Sequence, residues 1–177
     1  MKIVREMMVP LEEYTHLSVG DSLYDAILAV AQSLSGASAD PSRPRDRGAL
    51  VVGSDGRVVG KISIWDLMTA LEPNYEPPVD PFGTLDDTML WSQWLSSDLA
   101  EKTRSIRVGD LLQKTSKSET IDEKAPLDLA VHRLLRGKHL SLLVTRGDAI
   151  IGILRLSDVF KAVSERVQAA KLTPAPA

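Results

Sequence analysis

One strand-to-helix unit occurs twice at a fixed offset, and this repetition constrains the fold more than any single motif. Val58-Val59-Gly60-Lys61-Ile62-Ser63-Ile64-Trp65-Asp66-Leu67 is echoed by Ile150-Ile151-Gly152-Ile153-Leu154-Arg155-Leu156-Ser157-Asp158-Val159. Gly60 and Gly152 lie 92 positions apart (152 − 60), as do Asp66 and Asp158 (158 − 66). Each stretch reads as an apolar strand, a glycine, more strand, then an aspartate opening a helix. A unit of this size repeated at constant spacing predicts two structural copies of one fold element.

The repeat extends outward. Sliding Gly48–Glu72 onto Leu140–Ser164 without a gap matches apolar residue to apolar residue. It gives the identities Leu50/Leu142, Val52/Val144, Gly60/Gly152, Asp66/Asp158 and Ala70/Ala162. Upstream, Leu23-Tyr24-Asp25-Ala26-Ile27 matches Leu127-Asp128-Leu129-Ala130-Val131 at an offset of 104 (127 − 23). The difference between the offsets assigns an insertion to the first copy at 35–47, whose Ser, Gly, Pro and Arg composition is that of a loop.

The predicted domain organisation follows. The first copy spans 1–72. A proline-rich linker, 73–105, carries a helix whose Leu90, Trp91, Trp94, Leu95 and Leu99 form an apolar stripe suited to a core or a protein contact. The second copy spans 106–171, with Val108-Gly109-Asp110-Leu111-Leu112 parallel to the segment around Met7-Met8-Val9. A disordered tail, 172–177, closes the chain. Within each copy the pattern predicts a short strand (Tyr14–Val19; Thr120-Ile121), a helix, a hairpin and a second helix. Gly20-Asp21-Ser22 supplies a turn and an N-cap for the first helix. Ser54-Asp55-Gly56-Arg57 and Arg146-Gly147-Asp148 supply the hairpin turns. Val58–Ile64 is the return strand of the first copy and Trp65–Leu71 the helix after it.

A net charge of −3 and a pI near 5.6 leave no electrostatic footprint for nucleic acid. Without cysteine, disulfides and thiolate metal sites are excluded. His16, His132 and His139 lack paired metal-ligand spacing, so no metal is expected. No apolar run is long enough for a bilayer, and the opening residues, lacking a long apolar run after their basic ones, give no expectation of a signal peptide. A soluble, cytoplasmic protein is the expectation. No nucleophile–base pattern or phosphate-binding loop is present, so no catalytic role is expected.

The β-α-β-β-α unit, with Gly-h-x-Ser/Thr-x-x-Asp (h apolar) where its last strand meets its last helix, resembles a CBS domain. Two in tandem resemble a Bateman module, a pair of mixed α+β units packed about a pseudo-two-fold axis. The resemblance covers about Met7 to Val163 apart from the insertion and the linker. It implies two clefts between the copies that take adenosine-containing ligands such as AMP, ADP, ATP or S-adenosylmethionine. There the signature Asp holds the ribose hydroxyls and the signature Ser/Thr touches ribose or phosphate. A carboxylate is acceptor-only and can take two hydroxyl donors, and a helix N-terminus attracts phosphate.

Carried over by position, the first copy has Ser63 and Asp66, and the second has Asp158 but Arg155 in place of Ser/Thr. Arg155 either forks onto a phosphate or fills the cleft and closes it. Lys61 alternates onto the strand face of Ser63 and adds positive charge. The resemblance also lines the clefts with the first short strand and the residues opening the second: Leu17 and Arg47 in the first copy, Ile121 and His139 in the second. Against these roles stand simpler ones: Asp66 and Asp158 as helix caps, Ser63 as a strand serine, Arg155 paired with Asp158 or Glu165, and His139 as a turn residue.

The resulting expectation is a regulatory module with no required cofactor. It senses an adenine nucleotide and passes occupancy to a partner protein by shifting the two copies relative to each other. The alternative is an interaction scaffold whose clefts do not bind nucleotide, with Arg155 as its best support. The resemblance further implies a homodimer formed through the helices.

Overall fold

The computed structural model describes residues 2–36, 46–72, 99–112 and 119–171. The expected Trp91/Trp94 helix, most of the insertion and the tail lie outside them. Strand β1 (Val9–Pro10) precedes the first unit, which comprises β2 (His16–Ser18), α1 (Leu23–Ser35), β3 (Gly48–Val52), β4 (Val58–Ser63) and α2 (Ile64–Leu71). Helix α3 (Leu99–Ser105) leads to the second unit. This comprises β5 (Thr120–Asp122), α4 (Leu127–Gly137), β6 (Ser141–Arg146), β7 (Ala149–Arg155) and α5 (Leu156–Lys171). Both units are β-α-β-β-α, as the repeat predicts.

Local chemistry explains the elements. Ser22 caps α1 and Asp25 answers it in a reciprocal capping box, while Leu23, Ala26 and Val30 face inward. Gly36 ends the helix at φ 83°, a left-handed position that glycine adopts without a Cβ penalty. The parallel pair β2/β3 needs a crossover, which α1 provides, and β3/β4 are a hairpin. The second unit repeats this with β5/β6 and β6/β7. One face of each sheet packs on its own helices. The other faces meet in a shared apolar layer of Val9, Tyr14, Leu50, Leu143 and Ile153.

The gapless register is corrected by the ladders. Lys61 and Ile153 occupy equivalent places 92 apart (153 − 61), but their partners Leu50 and Leu143 are 93 apart (143 − 50). The true counterpart of Leu50 is therefore Leu143, and that of Val51 is Val144. The Leu50/Leu142 and Val52/Val144 matches were coincidences of a valine- and leucine-rich strand. Strand side chains alternate faces, so a one-residue slip exchanges core for interface. The extra residue lies in the turn. The first hairpin closes Gly53 on Arg57 around three residues, with Gly56 at φ 78°. The second turns in two, Gly147-Asp148, between paired Arg146 and Ala149. Both hairpins carry a register shift at the same place, between Val51 and Val52 and between Val144 and Thr145.

The segments leading into the two units are exchanged. The 3-10 turn Val4–Glu6 plugs the second unit: Val4 donates its N–H to Ala125 O, Leu127 donates to Lys2 O, and the Val4 side chain lies in that unit's core. The 3-10 turn Val108–Leu111 plugs the first unit, with Val108 donating to Asp21 O and Leu23 to Ile106 O. Strand β1 then pairs with β7, Val9 opposite Ile153 and Pro10 opposite Gly152. A Cβ on Gly152 would lie 2.5 Å from the Val9 carbonyl oxygen, so the signature glycine is where a strand from the other end of the chain crosses. Helix α3 is tied to the first unit by Lys102, whose Nζ donates to Leu71 O and Glu72 O, and by Arg104 over the Tyr24 ring at 5.3 Å.

Val4→Ala should lower the unfolding free energy by about 2 kcal/mol, from roughly 0.8 kcal/mol per buried methylene plus a cavity term. Amide exchange should accelerate in 121–134, in the second unit. Unchanged stability, or loosening confined to 23–30, would contradict the exchange of leading turns.

Candidate functional site: two clefts between the units

Each cleft combines the strand-to-helix junction of one unit with the strand openings of the other. At the first junction the Ser63 Oγ donates to Asp66 Oδ2 at 2.7 Å. The Ser63 N–H reaches the same oxygen at 2.7 Å, and the Asp66 N–H returns to Ser63 Oγ at 3.4 Å. Ser63 is thus the N-cap, and α2 starts one residue earlier than the sequence pattern predicts. Asp66 Oδ1 has no hydrogen-bond partner among the described residues. The capping role and a ligand role are compatible, because only one carboxylate oxygen is used.

Lys61 shares this cleft. Its counterpart by register is Ile153, a member of the apolar layer, so an ammonium stands where the other unit places a core isoleucine. Its Nζ crosses to the second unit and donates to Ser141 O at 2.6 Å and Ser141 Oγ at 3.2 Å. Desolvation lowers its pKa below the ordinary lysine value, and Glu119 and Asp66 oppose that by favouring the charge. His139 sits on the same opening, its Nδ1 3.8 Å from Glu119 Oε1. The His139 Nε2 is buried without a hydrogen-bond partner and lies against Gly137, where any Cβ would overlap the ring.

The second cleft is built from different side chains. Arg155, 4% exposed, forks onto Asp158, Nε to Oδ2 at 2.6 Å and Nη2 to Oδ1 at 2.7 Å. Its Nη1 crosses to Asp46 Oδ1 of the first unit at 2.5 Å. Asp46 Oδ2 accepts from the Thr15 N–H at 3.3 Å and the Thr15 hydroxyl at 3.4 Å. Burial works against the guanidinium's charge, and the Asp158 and Asp46 carboxylates more than restore it. Tyr14 is buried beside this cluster. Desolvation foremost, then the Asp46 charge, raises its phenol well above the ordinary value, against the pull of Arg155.

The structure thus brings together Ser63, Asp66 and Lys61 with His139 across one cleft, and Arg155 with Asp158 in the other. Leu17 and Ile121 point away, into the helix-facing cores of their units. Arg47 is exposed, and its carbonyl accepts from the Ile64 N–H as Leu140's does from the Leu156 N–H. Arg47 and His139 are therefore not equivalent: Leu140 matches Arg47, and Asp46 matches His139. Sequence reasoning missed Asp46, Thr15, Tyr14, Glu119 and Ser141. A hairpin alignment allowing one extra turn residue would have set Asp46 opposite His139. Among the described residues no group of three or more His, Cys, Asp or Glu side chains is arranged to hold a metal ion, and no helix is long and apolar enough to cross a membrane.

Comparison with known proteins agrees with this fold. Residues 108–165 match the family model of the CBS domain. No curated protein matches the chain in sequence. Solved structures are similar over nearly the whole chain. CBSX2 in complex with AMP is 22% identical, with 93% of this chain and 98% of that one covered at TM-score 0.62. A CBS domain-containing protein of unknown function from Bacillus anthracis strain Ames Ancestor is 13% identical, with 93% and 94% covered at TM-score 0.65. CbpB in complex with c-di-AMP is 15% identical, with 96% and 89% covered at TM-score 0.58.

A phenol whose pKa is raised on folding contributes stability that is complete below its unfolded value and fades as pH rises past it. Stability should therefore fall above about pH 10, by up to about 1.4 kcal/mol per pH unit more steeply than in Tyr14→Phe. Urea unfolding of both proteins between pH 8 and 11 checks this; parallel curves would show that Tyr14 does not ionise differently on unfolding.

Proposed function

We propose that this chain, a tandem CBS-domain protein by its fold and by the family model its second repeat matches, is a regulatory module that binds an adenosine-containing nucleotide between its two units and passes occupancy to a partner. The observation that carries the reading is Lys61. Half-burying an ammonium beside an apolar layer is costly, and here the cost is partly met by two serine oxygens. Groups held in such unfavourable surroundings concentrate at binding sites. Beside it stand a carboxylate with a free oxygen, Asp66, and the capped start of α2. Cation, carboxylate and helix N-terminus come together at this junction, groups of the kind that bind phosphate and ribose, which supports the reading. That CBSX2 and CbpB, of similar fold, were solved with AMP and c-di-AMP supports the ligand class. Binding would act through the relative placement of the two units, since each cleft takes side chains from both.

A thermal-shift panel with AMP, ADP, ATP, S-adenosylmethionine and GTP tests this. At 100 times its Kd a ligand adds about 2.7 kcal/mol to the folded state. An adenine ligand should stabilise the wild type but not Asp66→Ala. Lys61→Met should be at least as stable as the wild type without ligand, having lost a desolvated charge, yet bind at least tenfold more weakly. No shift with any ligand at millimolar concentration would leave the interaction-scaffold reading in its place.

Helices α2 and α5 hold Trp65, Met68, Phe160, Val163 and Val167 out to solvent. An apolar face of this kind supports a homodimer joined through these helices. Sedimentation of the wild type should show a dimer that Phe160→Glu dissociates. A monomeric wild type would end this part of the proposal.

A further inference from the structure

We infer that Arg155 is the resident occupant of the second cleft, so that the chain takes one nucleotide, at the Lys61 cleft, rather than two. The inference rests on the nucleotide-binding reading above and goes further by fixing which cleft works. The two junctions are equivalent by register, Ser63 with Arg155 and Asp66 with Asp158, yet their carboxylates stand in opposite conditions. Asp66 gives one oxygen to its cap and keeps the other. Asp158 has both oxygens taken by one planar fork, in the two-hydrogen-bond geometry a pair of ribose hydroxyls would use. The third arm of the guanidinium crosses to Asp46, itself anchored by Thr15, and so spans the cleft from one unit to the other. All three nitrogens of the fork donate to carboxylates, and the side chain is buried, so it is not poised to receive a phosphate. Displacing it would leave two largely buried carboxylates without their cation.

The test is isothermal titration of the full chain with AMP, ATP and S-adenosylmethionine in turn, beside the double variant Arg155→Ser/Asp46→Asn. The serine restores the Ser-x-x-Asp cap that the first unit has at Ser63 and Asp66. The asparagine still accepts from Thr15 while shedding the charge that Arg155 neutralised. The wild type should bind one ligand per chain and the folded double variant two. Two per wild-type chain, or one in a folded double variant, overturns the inference. No binding to the wild type refutes the nucleotide reading instead. The double variant then decides the role of Arg155: one ligand gained upholds it and none overturns it. Should the double variant fail to fold, amide exchange of the ligand-saturated wild type decides. Protection at 61–66 and 139–143 upholds the assignment, and protection at 155–158 overturns it.

Discussion

Neither unit completes its core with its own residues. Val4 fills the second and Val108 the first, and each leading turn makes three backbone hydrogen bonds to the segment that opens the recipient's helix. Everything else about the molecule depends on that exchange. It brings β1 across Gly152, which sets the edge of the second sheet and places Val9 in the layer between the units. It also forces the two sheets face to face, so that the strand openings of one unit come to lie beside the strand-to-helix junction of the other. The clefts are by-products of this packing, and no unit has one by itself.

Within that frame, the same backbone position has been given opposite chemistry. In the first unit both helices begin with a Ser/Asp capping box. In the second, α4 begins at Pro126 without a side-chain cap and α5 follows an arginine. The first unit therefore satisfies its helix starts locally and leaves one carboxylate oxygen of Asp66 outside the capping box. The second satisfies Asp158 by its near neighbour Arg155, whose remaining nitrogen reaches Asp46 and joins the units. Lys61 and Arg155 thus both cross between the units, Lys61 bonded to serine oxygens and Arg155 to carboxylates.

The repeat made the fold legible because glycine, aspartate and the apolar pattern at the strand-to-helix junction have few other joint explanations. Ser63 and Asp66 were readable from that same junction, and Lys61 because strand alternation placed it on the face of Ser63. The errors came where the physics is non-local. A turn one residue longer shifts β3 against β6 while leaving every residue of a valine-rich strand acceptable in either register. That hid the match of Asp46 with His139. The pairing of Arg155 with Asp158 was readable from their spacing, but its second partner was not, since Asp46 lies 109 positions away in a stretch whose composition reads as loop. The exchange of leading turns has no signature beyond a shared valine, because it is decided by which core has room.

The crossing of the leading turns also gives the molecule an order of assembly. As the chain leaves the ribosome, the first unit has all its strands and both helices by Leu71, but its core stays open until Val108 has followed. The second unit finds its plug already made and waiting in Val4. The nascent first half is thus an acceptor that nothing yet fills. Neither core is complete until the later half has been made, although the two repeats are synthesised apart.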